Sequence, residues 1–378
     1  MGQLRVAAAL SEHPLATHAV GECVGHLLER AGTGPDLLVV AVTPPLLGAL
    51  DDIAGAARGL LAPAVTLGVG AASVLGGPRE VEGRAAVTMF AVATDGLGPA
   101  ARPFRLDGSN DVDDLDDLRG LTGTLLLLAD PLSVQVDVLV EHLADAAPGL
   151  VVVGGTATGA QHAGGNRLFL DGVTHTGGVV GVLLAPSVPV RTVVSQGCQP
   201  VGPTFTVTGV AGQVLTSLAG APALDRLDQV RASVVGGLAV PSREEVLVGQ
   251  VVDEHLLDVG RSDLLVRRVL RVDPAEATLT VDGQLALGDR VQFMVRDAAT
   301  ASDDLRELVG GETAAGAFVL TSVARGLRLF GEADHDAGIV DEALDGAPVA
   351  GIFCGAEVGP VGGTAFVHSA SATVVLFG

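Results

Sequence analysis

Apolar residues fall in short Val-, Leu- and Ala-rich runs separated by polar or glycine-bearing breaks. Within the runs there is little alternation of apolar and polar positions, the pattern of strands covered on both faces. One arrangement recurs three times. The first copy predicts a strand at Leu37–Val42, a helix at Leu46–Leu61, a glycine-bearing strand at Val65–Ala71, a Gly-rich loop through Gly76-Gly77, and a last strand at Ala85–Val92. The second predicts strand Thr124–Leu128, helix Ser133–Ala147, glycine strand Val151–Ala157 and final strand Gly178–Leu184. The third predicts strand Ala317–Leu320, helix Gly338–Leu344, glycine strand Val349–Ala356 and final strand Ala372–Phe377. First and last strands start about 50 residues apart in every copy, a spacing that points to repeated supersecondary units.

Between the second and third copies the texture changes. Thr192–Thr208 reads as extended, with Pro200 and Pro203, and a helix is predicted at Ala223–Ser233. Asp263–Val272 reads as a strand. Leu279–Val281 and Arg290–Arg296 read as a hairpin-like pair across Asp282-Gly283 and Gly288-Asp289. A short helix follows at Ser302–Val309, with Ser302 as its N-cap. A helix at Leu15–Arg30 precedes the first copy. The expected fold is α/β: mixed β-sheets flanked by helices, built from repeated β-α-β-Gly loop-β units in two domains, residues 1–215 and 216–378.

Composition narrows the function. The 378 residues include 52 glycines and 22 cations, all arginine, and the net charge is −22. Without lysine there is no Schiff-base or pyridoxal-phosphate chemistry, and no phosphate-binding loop that ends in lysine. Strong negative charge without a basic stripe argues against nucleic acid and anionic membrane surfaces as partners. Nothing calls for a cofactor. Cys23, Cys198 and Cys354 are few and far apart, which argues against a disulfide framework and for a reducing cytoplasm. No signal peptide is expected from Met1–Leu10. The longest charge-free stretch, Thr192–Leu224, is too polar and proline-broken to span a membrane.

Four stretches carry a family resemblance: Gly68–Gly77 with Arg79–Gly83, Ser195–Gly202, Gly288–Ala298, and Gly355–Gly363 with Arg325-Gly326 and Leu329–Gly331 upstream. In this order they resemble the FIST family, the sensory module named for F-box and intracellular signal transduction proteins, with an N-terminal and a C-terminal FIST domain. The resemblance implies a sensor of a small ligand, with amino acids as the family-level expectation, and a signalling protein as partner. No output domain is visible, so a stand-alone sensor is expected. Val69 and Val323 stand where a cysteine would be expected in the family, so thiol chemistry at those places is not a property of this chain.

Glycine turns at strand ends can turn successive N–H groups toward an anion. Gly68, Gly70, Gly154, Gly155, Gly359, Gly362 and Gly363 therefore either line a ligand pocket or serve tight turns and close strand packing. The Gly68–Ser73 run lacks the third glycine and the following helix of a dinucleotide fingerprint. Arg296-Asp297 and Arg325 follow apolar strands. Arg296, Arg325 and Glu357 could grip an amino acid, the arginine forks taking a carboxylate and an acid taking the ammonium group; the other reading is structural ion pairing. Cys198 or Cys354 could act as a nucleophile with His175 or His368 as base, making the chain an enzyme, or the thiols could simply be buried. A third reading is a protein-interaction scaffold with exposed apolar surface. His18, Glu22 and His26 share a helix face, as metal ligands or as a solvated face. The acidic run Asp111–Asp117 lacks the order of a calcium loop and reads as a linker.

Overall fold

The structure, a computed structural model, describes residues 3–378 apart from 96–99, 108–114, 116–117, 234–241, 244–245 and 257–258. The acidic run Asp111–Asp117, Leu115 excepted, lies outside the described residues. Contacts divide the chain into two compact units, Met1–Ser195 with Leu305–Gly378, and Gln196–Asp304. This division follows packing, whereas the one near residue 215 follows sequence texture.

The first unit is built from three six-stranded sheets of one strand order. The first runs β1 (Gln3–Ser11), β6 (Val87–Asp95), β2 (Leu37–Val42), β3 (Val65–Gly70), β10 (Leu168–Leu170), β11 (Val173–His175). The second runs β7 (Ala101–Leu106), β12 (Val179–Leu184), β8 (Gly123–Ala129), β9 (Leu150–Thr156), β23 (Glu357–Val361), β24 (Thr364–His368). The third runs β13 (Val190–Ser195), β25 (Ala372–Phe377), β21 (Gly316–Ser322), β22 (Val349–Cys354), β4 (Ser73–Gly76), β5 (Arg79–Glu82). In each sheet the central pair is parallel: β2 with β3, β8 with β9, β21 with β22.

The outer hairpins are exchanged in a cycle. The hairpin that follows β3 joins β22, the one that follows β22 joins β9, and the one that follows β9 joins β3. The expected Gly-rich loop at Gly76-Gly77 is thus the turn of hairpin β4–β5, and it belongs to another copy's sheet.

The uninterrupted apolar runs follow from two-sided burial. In β2, Leu37, Val39 and Ala41 enter a core shared by all three sheets, while Leu38, Val40 and Val42 enter a core under helices. In the shared core Phe90 packs against Phe318 and Phe377, with ring centroids 5.6 and 5.4 Å away. Fully burying a side chain of this size contributes roughly 1.5–3 kcal/mol. Helices α1 (Ala16–Arg30) and α2 (Leu50–Leu61) cover the first sheet, and α3 (Val136–Ala146) covers the second. The third is covered by α7 (His335–Ala343) and by Leu305 and Val309. No helix among the described residues is long and apolar enough to cross a membrane.

The second unit is an antiparallel barrel. Strands β14 (Gln199–Ala211), β20 (Arg290–Val295), β17 (Leu247–Val251), β18 (Leu264–Asp273), β19 (Thr278–Val281) and β15 (Val214–Leu218) pair in that order, and β14 also pairs with β15, closing the ring. A short β16 (Ala221–Pro222) joins β15, and α4 (Ala223–Ser233) packs Leu224, Leu227 and Val230 into the barrel core. The predicted pairing of 279–281 with 290–296 does not occur. Strand β19 pairs with β15 and β18, and β20 with β14 and β17, because barrel closure gives each of them two other neighbours. Helix α5 (Ala298–Val309) starts four residues before the predicted Ser302. Its cap is Asp297, whose carboxylate accepts the Thr300 N–H at 2.7 Å, while Ser302 Oγ donates to the Ala298 carbonyl inside the helix. Helix α7 starts at His335, before the predicted Gly338, and the four-residue α6 (Leu327–Phe330) lies ahead of it.

Candidate functional site

The C-terminal ends of the three glycine strands converge within the first unit. The Thr158 hydroxyl, just past β9, donates to the Phe353 carbonyl on β22 at 2.6 Å and accepts the Ala72 N–H, just past β3, at 2.8 Å. The Gly159 N–H donates to the Gly70 carbonyl, and the Thr156 N–H to the Ala356 carbonyl, both at 3.0 Å. Close approach explains most of the glycines here. A methyl group on Gly155 would overlap Cys354 Sγ, one on Gly154 the Leu127 carbonyl, and one on Gly70 the Leu47 side chain; one on Gly68 would lie 2.8 Å from Phe169 Cβ. Gly359 packs against Val194 in the same way. Gly362 and Gly363 form the β23–β24 turn with φ of 58° and 86°, where glycine avoids the Cβ penalty. Of the anticipated pocket glycines, Gly70, Gly154 and Gly155 meet at this junction, and Gly362 and Gly363 sit at the exposed tip of a hairpin.

Beside the junction lies a buried ionic network. Arg325 Nε and Nη2 donate to the two Asp336 carboxylate oxygens at 2.7 and 2.9 Å, and both side chains are fully buried. Thr321 Oγ1 donates to Asp336 at 2.6 Å, and His335 Nδ1 lies 2.9 Å from it. Burial opposes ionisation of Asp336, but Arg325, His335 and Thr321 together hold it below the usual carboxylate range. Glu80, on β5, caps the other side: its Oε1 accepts the N–H groups of Asp336 and Ala337 at the start of α7, at 2.9 and 3.0 Å. Glu357 accepts the N–H and hydroxyl of Ser371 at 3.1 and 2.8 Å. Glu80 Oε2 and Glu357 Oε1 are buried without a hydrogen-bond partner among the described residues. Burial pushes Glu80 up to about 7, helped by Asp336, and Glu357 up to about 8. Phe330, at the end of α6, closes the network: its ring stacks on His335 at 3.3 Å between centroids and lies 5.2 Å from the Arg325 guanidinium carbon. The α6 turn is bracketed by Gly326 and Gly331, both at positive φ.

The arginine forks of the sequence reading are thus engaged. Arg325 grips Asp336. Arg296, in the barrel unit, donates to the Gln196 carbonyl at 2.8 Å, and its neighbour Asp297 caps α5. The thiols are buried. Burial pushes Cys23 up to about 12, and it pushes Cys354 well above the ordinary thiol range with help from Glu357. A protonated, buried thiol is a poor nucleophile. His368 spends Nε2 on the Gly359 carbonyl. On α1, Glu22 accepts from Ser11 and His18 stacks on His13, and no cluster of metal-ligating side chains occurs among the described residues.

Three concavities, of about 490, 240 and 190 Å³, are lined by none of the anticipated glycines or arginines. The smallest carries charges of both signs. It lies between the last two turns of α1, which present His26 and Arg30, and α7, which presents Asp341; Gly77, Gly346 and Pro348 complete the wall with edge strand β1. The side chains of His26, Arg30 and Asp341 make no hydrogen bond or ion pair with any described residue, although the Asp341 carbonyl accepts the Gly346 N–H at 3.1 Å. Burial alone raises Asp341 above its ordinary value. An unpaired cation and a partly desolvated carboxylate facing one small recess suit a ligand that brings both missing charges. Sequence reasoning singled out His26 only as a metal candidate and missed Arg30 and Asp341. They are 311 positions apart, and only the packing of α1 and α7 against neighbouring sheets brings them to one recess.

Comparison with known proteins matches the FIST N domain to residues 36–221 and the FIST C domain to residues 224–360. An uncharacterized protein of Mycobacterium tuberculosis is 36% identical over 399 residues, covering 99% of this chain and 100% of the relative. An uncharacterized protein of Mycobacterium bovis is 36% identical over 390 residues, covering 99% of each chain.

Proposed function

The chain belongs to the FIST family, whose domains are sensory domains of signal transduction, and on that premise we propose that it binds a small polar ligand, an amino acid or similar zwitterion, and relays its presence to a protein partner. The observation that carries this reading is the recess in which Arg30 and Asp341 face each other's side without pairing. Arg30 supplies a fork for a carboxylate, Asp341 an acceptor for an ammonium group, and His26 a further polar contact. A volume of about 190 Å³ admits a ligand of a few heavy atoms and excludes a nucleotide.

The same two elements connect the recess to the ionic network. Helix α7 carries Asp341 at one end and His335 and Asp336 at the other. Hairpin β4–β5 carries Gly77 in the recess and Glu80 against the first amides of α7. A ligand that draws Asp341 toward Arg30 therefore strains the Arg325–Asp336 pair and the seat of Phe330. The α6 turn, with Leu327 exposed, is the element a partner reads. Such a relay needs only that the ligand bind two arrangements of α7 unequally. The three buried cysteines, none in a disulfide, support a reducing compartment such as the cytoplasm, and the strong negative charge weighs against nucleic acid and anionic lipid as partners. The buried thiols also weigh against the cysteine-enzyme reading.

A thermal-shift screen of amino acids tests the reading. A true ligand at 100 times its dissociation constant adds about 2.7 kcal/mol. Asp341→Asn and Arg30→Gln should abolish that stabilisation while melting like the wild type without ligand. Stabilisation that survives both substitutions removes the recess from the reading.

A further inference from the structure

We infer that the barrel unit carries a second ligand site, a cleft for a small hydroxylated anion, a phosphate or carboxylate on a polyol skeleton. The cleft is an open groove of about 490 Å³, within the usual range for small-molecule sites, and is built from residues of that unit alone. Its floor is an irregularity of β14. Val201 pairs with Phe293 and Phe205 with Val291, so Gly202-Pro203-Thr204 face Gln292 alone. Three residues against one force the strand outward, and such bulges re-aim side chains next to functional sites. Pro203 brings no N–H to the ladder, so the strand gives up little pairing at that point.

The polar side chains here are anchored on one side and unspent on the other. Arg290 uses only Nη2, on the carbonyls of Asp253 and Glu254 at 3.2 and 3.0 Å, and its Nε and Nη1 hydrogens meet no acceptor among the described residues. Gln292 uses Nε2 on the Gly202 carbonyl at 2.6 Å, which fixes the carboxamide and leaves Oε1 as an acceptor. The Thr204 and Thr206 hydroxyls make no hydrogen bond to described residues, and Thr206 lies directly opposite Arg290 in register. The neighbouring Asp289 accepts the Gln250 amide and the Ala286 N–H on Oδ2, both at 2.9 Å, and makes no ion pair with Arg290. A fork of free N–H groups takes an oxyanion. Two hydroxyls and a fixed amide oxygen beside it take the hydroxyl groups of the same molecule.

Calorimetric titration of the full chain tests this, with ribose 5-phosphate and gluconate as probes and with ribose and inorganic phosphate as controls. Either probe binds the wild type, and whichever binds tells whether the oxyanion is phosphate or carboxylate. Arg290→Gln weakens that binding at least tenfold and Thr204→Val several-fold, both with unchanged melting temperature in the absence of ligand. Asp341→Asn leaves it unchanged, so failure here is separate from failure of the recess. No heat from either probe at millimolar concentration, equal affinity in Arg290→Gln, or inorganic phosphate binding as tightly as ribose 5-phosphate would overturn the inference.

Discussion

Glu357 and Glu80 make stability depend on pH in a direction opposite to that of most carboxylates. Both are pushed up, to about 8 and about 7, so the folded state holds protons that the unfolded chain releases from about pH 4.3 upward. Their contribution is complete below that value and is lost as pH rises through 7 and 8. Asp336 works the other way, but its loss lies in strong acid, below the range of interest. The melting temperature should therefore fall between pH 5 and pH 8. Glu357→Gln, which mimics the neutral carboxyl, should flatten that fall; a melting curve series in which the variant keeps the full slope contradicts the assignment. Arg325→Met leaves Asp336 buried without its cation, and removing one partner of a buried pair costs about 3–5 kcal/mol. Chemical denaturation measures it, and a loss under 1 kcal/mol would mean that water reaches Asp336.

Among elements, the glycine strands have the narrowest tolerance. Gly155→Ala pushes a methyl group into Cys354 Sγ, and overpacking of this kind costs about 1–3 kcal/mol. Cys354→Ala opens the space, so the double substitution should lose less than the sum of the two singles. A strictly additive cycle would show that β9 and β22 do not touch through these residues. The strands themselves were legible because two-sided burial leaves an unbroken apolar run, as in Leu37–Val42 and Thr124–Leu128. The hairpin β4–β5 was not. Its residues Ser73–Glu82 look like a loop because β22, the strand they join, lies more than 260 positions away along the chain. Strand β19 misled for a related reason: turn residues announce that the chain reverses, and barrel closure decides which strand it meets.

At the scale of the molecule, three sheets of one order exchange hairpins in a cycle, so each sheet contains chain from two different copies. That exchange brings Glu80 onto Asp336 and Glu357 beside Gly155, contacts that no local sequence window contains. The sequence motifs single out Arg325 and Glu357 as ligand-gripping residues. In the structure Arg325 is spent on a buried ion pair with Asp336, and Glu357 is a buried carboxyl that bonds Ser371. The unpaired charges at Arg30 and Asp341 carried no motif at all, since a lone surface arginine and a lone aspartate look like ordinary helix decoration. Only the packing of α1 and α7 assigns them a common recess.

Hydrogen exchange on the full chain, with and without an amino acid found by thermal shift, tests the sensor most directly. Binding should slow exchange around Asp341 and Gly346 and change it at residues 326–331, and Asp341→Asn should remove both effects. A ligand that protects the recess yet leaves 326–331 untouched, or one whose effects persist in Asp341→Asn, would contradict a signal passed along α7.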